Sequence, residues 1–269
     1  MPITFSGCRT GELRPKNLLP ATWTSVQKTN AQRQVSWNQW GKQNLQHGDL
    51  LFVMGESRIL MGLLNVSKFS ADIASSDYSH VGIVAIEEGE PVVYDIVTAG
   101  ARRIPFDQYA THSDAWSLAV KRLRPEYSSS LAPAVEFCSQ VYQRGDNFDS
   151  KFRLGNENYY CVELIEAAFR QNGVALSEPV AINRLPNFEK LSTMTVQVVK
   201  AATSLSEDQQ ILWPGNDDFG LWSSPILDLV LPNTNKASPP ALNDGPERRH
   251  PTVERVYGYS PTSRQYALQ

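Results

Sequence analysis

Three residues in this chain have the types and spacing that nucleophilic catalysis requires: Cys161, His80 and Asp95. Cys161 opens the run Cys161-Val162-Glu163-Leu164-Ile165, with Ala168 and Phe169 beyond it. Apolar residues at 162, 165, 168 and 169, widened by Leu164, repeat with the 3.6-residue period of an amphipathic helix, and Asn172-Gly173 is a common stop. A thiol in the first helical turn faces unpaired backbone N–H groups and the positive end of the helix dipole. Both favour the thiolate, the form that attacks carbonyls. A lone cysteine is more often a buried core residue. The histidine upstream, at position 80, shifts that balance.

A cysteine nucleophile needs a base, and the base needs a third group to orient it. His80 begins the clearest strand signal in the chain, a hairpin with strands His80 to Ile86 and Val92 to Val97 about the turn Glu87-Glu88-Gly89-Glu90-Pro91. Folding about that turn pairs residues whose numbers sum to about 177, so Gly82 lies opposite Asp95. Diagonal neighbours share a face at roughly 7–8 Å between α-carbons, within side-chain reach. Asp95 is therefore placed to hold one imidazole nitrogen and leave the other facing the thiol, provided the register does not slip by one. An acid amid Val92, Val93, Tyr94, Ile96 and Val97 needs such a partner or a solvated face. Glu163 is expected on the exposed side of the first helical turn, and His47 and His112 have no comparable context. Metal ligation by His80, Asp95 and Cys161 lacks the closely spaced ligand pair usual for such sites, so no metal or cofactor is expected.

The elements that position these residues follow from the pattern. Leu50 to Val53, after the turn signal Gly48-Asp49, reads as a buried strand. Residues 56–70 read as a short helix through Ile59, Leu60, Leu63 and Leu64, and Ala71 to Tyr78 as a loop. Arg102 to Ile104 and Ala115 to Arg122 read as strands. Leu131 to Arg144 reads as a helix with Val135, Cys138, Val141 and Tyr142 inward, which makes Cys138 a core residue. Residues 1–46 form a polar lead-in without sustained period that packs on the domain in places, through residues such as Trp23, Trp37 and Trp40. The catalytic domain spans 47–231, where Leu221 to Leu231 covers part of the core. From Pro232 to 269 the composition is that of a mobile tail.

Composition narrows the function classes. Apolar residues at 41% and charged residues at 20% suit a packed core, and a net charge of −3 with scattered basic residues gives no footprint for nucleic acid. Cys8, Cys138 and Cys161 are too few and too widely spaced for a disulfide framework or a zinc pattern. No window reaches the length of a transmembrane helix. Phe5-Ser6-Gly7-Cys8 is similar to a lipoprotein cleavage box, but the residues before it supply neither a charged nor an apolar region. A cytoplasmic protein is expected as the sequence stands, with the cell envelope as the alternative if an upstream signal or anchor is missing.

The order Gly48-Asp49-Leu50-Leu51-Phe52, Tyr78-Ser79-His80-Val81-Gly82-Ile83-Val84, Tyr160-Cys161-Val162-Glu163-Leu164-Ile165 resembles the permuted NlpC/P60 group, and within it the YiiX-like permuted papain-fold hydrolases. In ordinary papain-like enzymes the cysteine precedes the histidine; in the permuted group the order is reversed, as here. The resemblance spans about 47 to 175. It implies an α+β fold, a circularly permuted papain-like domain with an antiparallel sheet packed against the cysteine-bearing helix. It also implies Cys161 as nucleophile, His80 as general base and acid, and Asp95 as the third polar residue. Such proteins tend to carry Glu in that place and Ser after the cysteine, so Asp95 and Val162 depart from the pattern, and Asp95 must reach His80 with one methylene less. Tyr160 and Asp49 are candidates for shaping the site or its oxyanion pocket.

The expected activity is hydrolysis of an amide through an acyl-enzyme, in a small peptide or acyl-amide substrate, with cell-wall peptides or aminoacyl amides first in line. A lipid acyltransferase or thioesterase would instead show a wide apolar groove beside Cys161. A binding module that lost turnover is the third reading, and retention of Cys, His and an acid in this order argues against it.

Overall fold

The structure, a computed structural model, describes residues 21–55, 58–59, 64–111, 117–191, 197, 205–234 and 239–240. Its frame is a six-stranded antiparallel sheet. The strands are β1 (Leu50–Val53), β4 (His80–Glu87), β5 (Glu90–Val97), β6 (Gly100–Pro105), β7 (Leu118–Leu123) and β10 (Leu227–Thr234), in the spatial order β10-β7-β1-β4-β5-β6. Two small pairs lie outside it: β2 (Arg58–Ile59) with β3 (Leu64–Asn65), and β8 (Val180–Ala181) with β9 (Gln210–Ile211). The helices are α1 (Ala21–Asn44), α2 (Val66–Ala74), α3 (Phe106–Thr111), α4 (Leu131–Arg144) and α5 (Cys161–Arg170).

Both faces of the sheet are covered, which is why β1, β4 and β5 read as nearly unbroken apolar runs. Val81, Ile83 and Ala85 of β4 join Tyr94 and Ile96 of β5 in a core with Val135, Cys138 and Val141 of α4 and Val162, Ile165 and Phe169 of α5. Val84 and Val93 face the other way, toward Trp37, Trp40, Phe106 and Tyr109 of α1 and α3. Cys138 is thus a core thiol, and burial pushes its pKa up.

Several expectations need correction. The lead-in holds a 24-residue helix, α1. Its apolar residues are too sparse for a stripe, and tertiary packing supplies what the period lacks: Trp37 and Trp40 are buried edge-to-face, with Phe106 beside them. Gly41 permits that approach, because a Cβ there would lie 2.5 Å from the Phe106 ring. The helix expected over 56–70 starts later and continues through the supposed loop, as α2. Arg58–Ile59 and Leu64–Asn65 pair as strands, while Ala71, Ile73 and Ala74 are buried helical residues. Alanine is a strong helix former, so a small-residue segment is not by itself a loop. Leu60 and Leu63 lie outside the described residues, as do His112 and Ala115. Tyr142, expected inward, is 40% exposed and meets Tyr94 only at its ring, 5.9 Å away.

The segment expected to cover part of the core closes the sheet's edge: β10 pairs antiparallel with β7 and buries Leu227 and Leu231. It runs on through Pro232 to Thr234, where tail composition had begun. Among the described residues no helix is long and apolar enough to cross a membrane.

Candidate active site

The hairpin register is the one that the residue numbers give. Ile83 pairs with Tyr94 and Val84 with Val93, about a left-handed turn at Glu88-Gly89. His80 therefore lies diagonal to Asp95, and Nε2 of the imidazole is 2.7 Å from Oδ2 of the carboxylate. The shorter side chain reaches. Gly82, opposite Asp95, leaves the room for it: a Cβ at Gly82 would come within 2.7 Å of Val93 Cγ1 and 3.3 Å of Asp95 Cβ.

Asp95 has a second partner that the sequence reading passed over. Arg102 stands directly opposite it on β6 and donates from Nε to Oδ1 at 2.6 Å and from Nη2 to Oδ2 at 2.8 Å. The Asp95 side chain is completely buried. Burial alone would raise its pKa; the bonds from Arg102 and then from His80 outweigh that and hold the carboxyl below its ordinary range. The signal for Arg102 was present: the same arithmetic about Thr98–Ala99, with Val97 paired to Gly100, puts it opposite Asp95.

Cys161 is the first residue of α5, preceded by Tyr160 in extended conformation, and Leu164 N–H to Tyr160 C=O at 2.9 Å begins the helical ladder. The thiol approaches His80 at the end of β4. Burial by itself would lower the His80 pKa, but the charge of Cys161, the hydrogen bond to Asp95 and a hydrogen bond to Cys161 together raise it to about 9. Because Nε2 is engaged by Asp95, Nδ1 is the nitrogen left for the sulfur. The imidazole thus keeps its proton at neutral pH beside the Cys161 sulfur. Tyr109 backs the imidazole, with ring centroids 6.4 Å apart, and its buried hydroxyl has no hydrogen-bond partner among the described residues. No sequence pattern announced it.

Two further expectations change. Asp49 is fully buried at the other end of β1 from Val53, which pairs with His80. Four residues of strand separate them, roughly 13 Å. Its carboxylate accepts from Arg122 Nε at 2.7 Å and Nη2 at 2.8 Å, and from Gln46 N–H at 2.8 Å. The structure does not bring Asp49 to the site; it fastens the segment before β1 to β7. Glu163, expected in solvent, is 5% exposed, because the loop between α4 and α5 folds over it. Desolvation raises its pKa to about 7, opposed by the hydrogen bond from Gly155 N–H, assisted by the charge of Asp149 and opposed again by Tyr160 N–H.

A cleft of ≈ 100 Å³ opens beside Cys161. Phe69 and Ile73 of α2, Phe152, and Ile211, Leu212 and Trp213 contribute to its wall. Neither Lys nor Arg lines it among the described residues. Tyr160 joins the two sides: its hydroxyl accepts from Leu212 N–H at 2.7 Å, tying the start of α5 to the segment that carries Leu212 and Trp213.

A family profile described as permuted papain-like amidase enzyme, YaeF/YiiX, C92 family, matches residues 44–211. The chain belongs to this family. Its fold is the permuted papain-like α+β fold of that family. An uncharacterized protein YiiX of Escherichia coli K12 is 24% identical over 131 residues, 49% of this chain and 60% of that protein. The match thus spans less than two thirds of the relative's length. A crystal structure described as metalloprotein yiiX from Escherichia coli O157:H7 superimposes with a TM-score of 0.56 at 18% identity, over 70% of this chain and 97% of that one. Similarity at that level speaks for the fold.

Proposed function

We propose that this permuted papain-like amidase hydrolyses the amide bond of a substrate with a bulky apolar acyl group, using Cys161 as nucleophile, His80 as general base and acid, and Asp95 to orient His80. The catalytic unit is proposed for residues 47–231. The observation that carries the substrate reading is the apolar cleft with Cys161 in its wall. A cell-wall peptide presents a carboxylate, for which the described lining offers no cation, while Glu207 is the one charged group there that a free amine would meet.

The thiolate of Cys161 attacks the carbonyl carbon, and the carbonyl electrons move onto oxygen. Backbone N–H groups at the start of α5 have no intrahelical partner and lie beside the forming oxyanion; Tyr160 fixes that turn against Leu212. His80 passes its Nδ1 proton to the departing amine as the C–N bond breaks, which leaves a thioester on Cys161. Water gives a proton back to His80 and attacks the thioester; the thiolate leaves and the carboxylic acid departs. Asp95, locked by Arg102, keeps the imidazole oriented throughout. A metal does not fit this donor set: both Asp95 oxygens are taken by Arg102, and no group of three His, Cys, Asp or Glu among the described residues can hold an ion.

The same cleft suits transfer of the acyl group to an acceptor other than water. The deciding assay is hydrolysis of N-acyl amides of increasing chain length, with and without an added amine or alcohol acceptor. Each methylene seated in the cleft contributes about 0.8 kcal/mol, roughly fourfold in kcat/KM until the cleft is full. A flat profile, with charged peptides cleaved better, would overturn the substrate reading. An acylated acceptor as the main product would make the protein a transferase.

A further inference from the structure

We infer that Glu163 is a protonation-controlled latch that holds the loop between α4 and α5, and with it the Phe152 wall of the cleft, against the nucleophile's helix. The latch rests on geometry first. Glu163 sits in the first turn of α5, two residues from Cys161, and its Oε1 accepts from Gly155 N–H at 3.0 Å. Its Oε2 is buried with no hydrogen-bond partner among the described residues.

The loop that Gly155 belongs to is wound around Asp149. That carboxylate accepts from Lys151 N–H at 2.8 Å, Arg153 N–H at 2.6 Å and Asn156 Nδ2 at 2.9 Å. Phe152, at the tip of this turn, has a φ of 51°, a left-handed conformation that a bulky residue adopts at a cost. Its ring packs on Tyr160 at 5.1 Å between centroids and lines the cleft. Gln209 Nε2 clasps the Lys151 and Phe152 carbonyls at 2.8 Å each, so the loop is also joined to the segment across the cleft. A strained turn, anchored at its base by Asp149 N–H to Tyr159 C=O at 2.9 Å, is thus secured to α5 at its far end through the Glu163 carboxyl, one oxygen of which is unsatisfied.

The titratable groups facing Glu163 are Asp149 from the loop and the phenols Tyr159 and Tyr160. Cys138 of α4 acts on Tyr159. Burial holds both phenols and the Cys138 thiol protonated through the neutral range, so Glu163 is the group in this cluster that changes charge there. In the closed loop its pKa is raised to about 7, from 4.5 when it is free in water. For an acid whose pKa is raised by closing, the closed form is favoured at low pH and loses ground as pH rises through 7. Two proton equilibria at those values make loop opening about tenfold more favourable at pH 8 than at pH 6. Ionised, Glu163 repels Asp149 and leaves a charged oxygen buried without a donor. The cleft wall then loosens.

The direct test is amide hydrogen exchange at Gly155, corrected for the intrinsic rate, on the full chain at pH 6 and pH 8. The latch predicts that wild-type protection falls about tenfold between these values, and that Glu163→Gln, which keeps an acceptor for Gly155 but cannot ionise, shows no such fall. A pH-independent wild type overturns it even if the variant fails to fold; an equal fall in both proteins assigns the effect to another group and overturns it too. The measurement needs no substrate, so it stands apart from the reading of the cleft as an acyl site. Where both hold, KM for long-chain amides rises above pH 7 in the wild type alone.

Discussion

The Asp95 carboxylate joins two cations across three strands, and that makes a double-mutant cycle with Arg102 informative. In Asp95→Asn the amide oxygen can still accept from His80 Nε2, but its NH2 group then points at Arg102 Nε–H, donor against donor. Removing one member of a buried pair costs about 3–5 kcal/mol; Arg102 is 32% exposed and regains some hydration, so the lower end applies. Arg102→Met leaves Asp95 buried with His80 as its one cation, at about 2 kcal/mol. Independent effects would sum to about 5 kcal/mol. The double variant removes the donor conflict along with the charge, so its cost should be near 3 kcal/mol, a coupling of about 2 kcal/mol. Urea unfolding of the four proteins measures this. In parallel, kcat/KM should fall about a hundredfold in Asp95→Asn, within the range for a displaced general base, and recover about tenfold when Arg102→Met removes the donor conflict that pushes the amide, and His80 with it, out of place. Additivity within about 0.5 kcal/mol, or a double variant less active than Asp95→Asn, would refute the view that Arg102 acts through Asp95.

Two more outcomes follow from the same geometry. His80 must carry the proton that the leaving amine takes, so kcat/KM should fall as pH rises through about 9. Because this pKa is raised above that of the unfolded chain, the stabilisation it reflects is complete below about pH 6.5 and is also lost through pH 9, which thermal melts across that window can follow. In Gly82→Ala the new methyl would stand 2.7 Å from Val93 Cγ1 and 3.2 Å from the Tyr94 carbonyl oxygen. Prying β4 from β5 should cost about 1–3 kcal/mol in unfolding assays and lower kcat more than the stability loss explains. Unchanged kcat would show that the spacing of His80 and Asp95 does not depend on this contact.

The central sheet was legible because its information is local. The hairpin carries both strands and its turn in one stretch, so the numbers alone pair His80 diagonally with Asp95, and the apolar stripe alone bounds α4 at Leu131 and Arg144. What the sequence concealed was set by distant partners. The α1 helix has no stripe, and its place depends on Phe106 meeting Trp37 and Trp40. Glu163 carries the polar character of a surface residue and is buried by a loop that the helical period cannot see. Asp49 stands in a telling turn, but Arg122, 73 residues on, claims its carboxylate. The cleft wall was invisible for the same reason: Leu212 reaches Tyr160 across 52 residues. Arg102 is the exception, since the strand arithmetic that found Asp95 would have found it one hairpin later.

All of this chemistry turns on the activation of Cys161 by His80. The most direct measurement is the rate of Cys161 alkylation by iodoacetamide from pH 5 to 10, mapped by peptide mass spectrometry so that Cys8 and Cys138 are counted separately, in wild type and His80→Ala. An ordinary thiol with a pKa of about 8.5 is well under 1% thiolate at pH 6, while the lower intrinsic nucleophilicity of a paired thiolate takes back part of its advantage. The paired site therefore predicts labelling at pH 6 about tenfold or more faster in wild type, with the two rates converging above pH 9. Equal rates at pH 6 would contradict it.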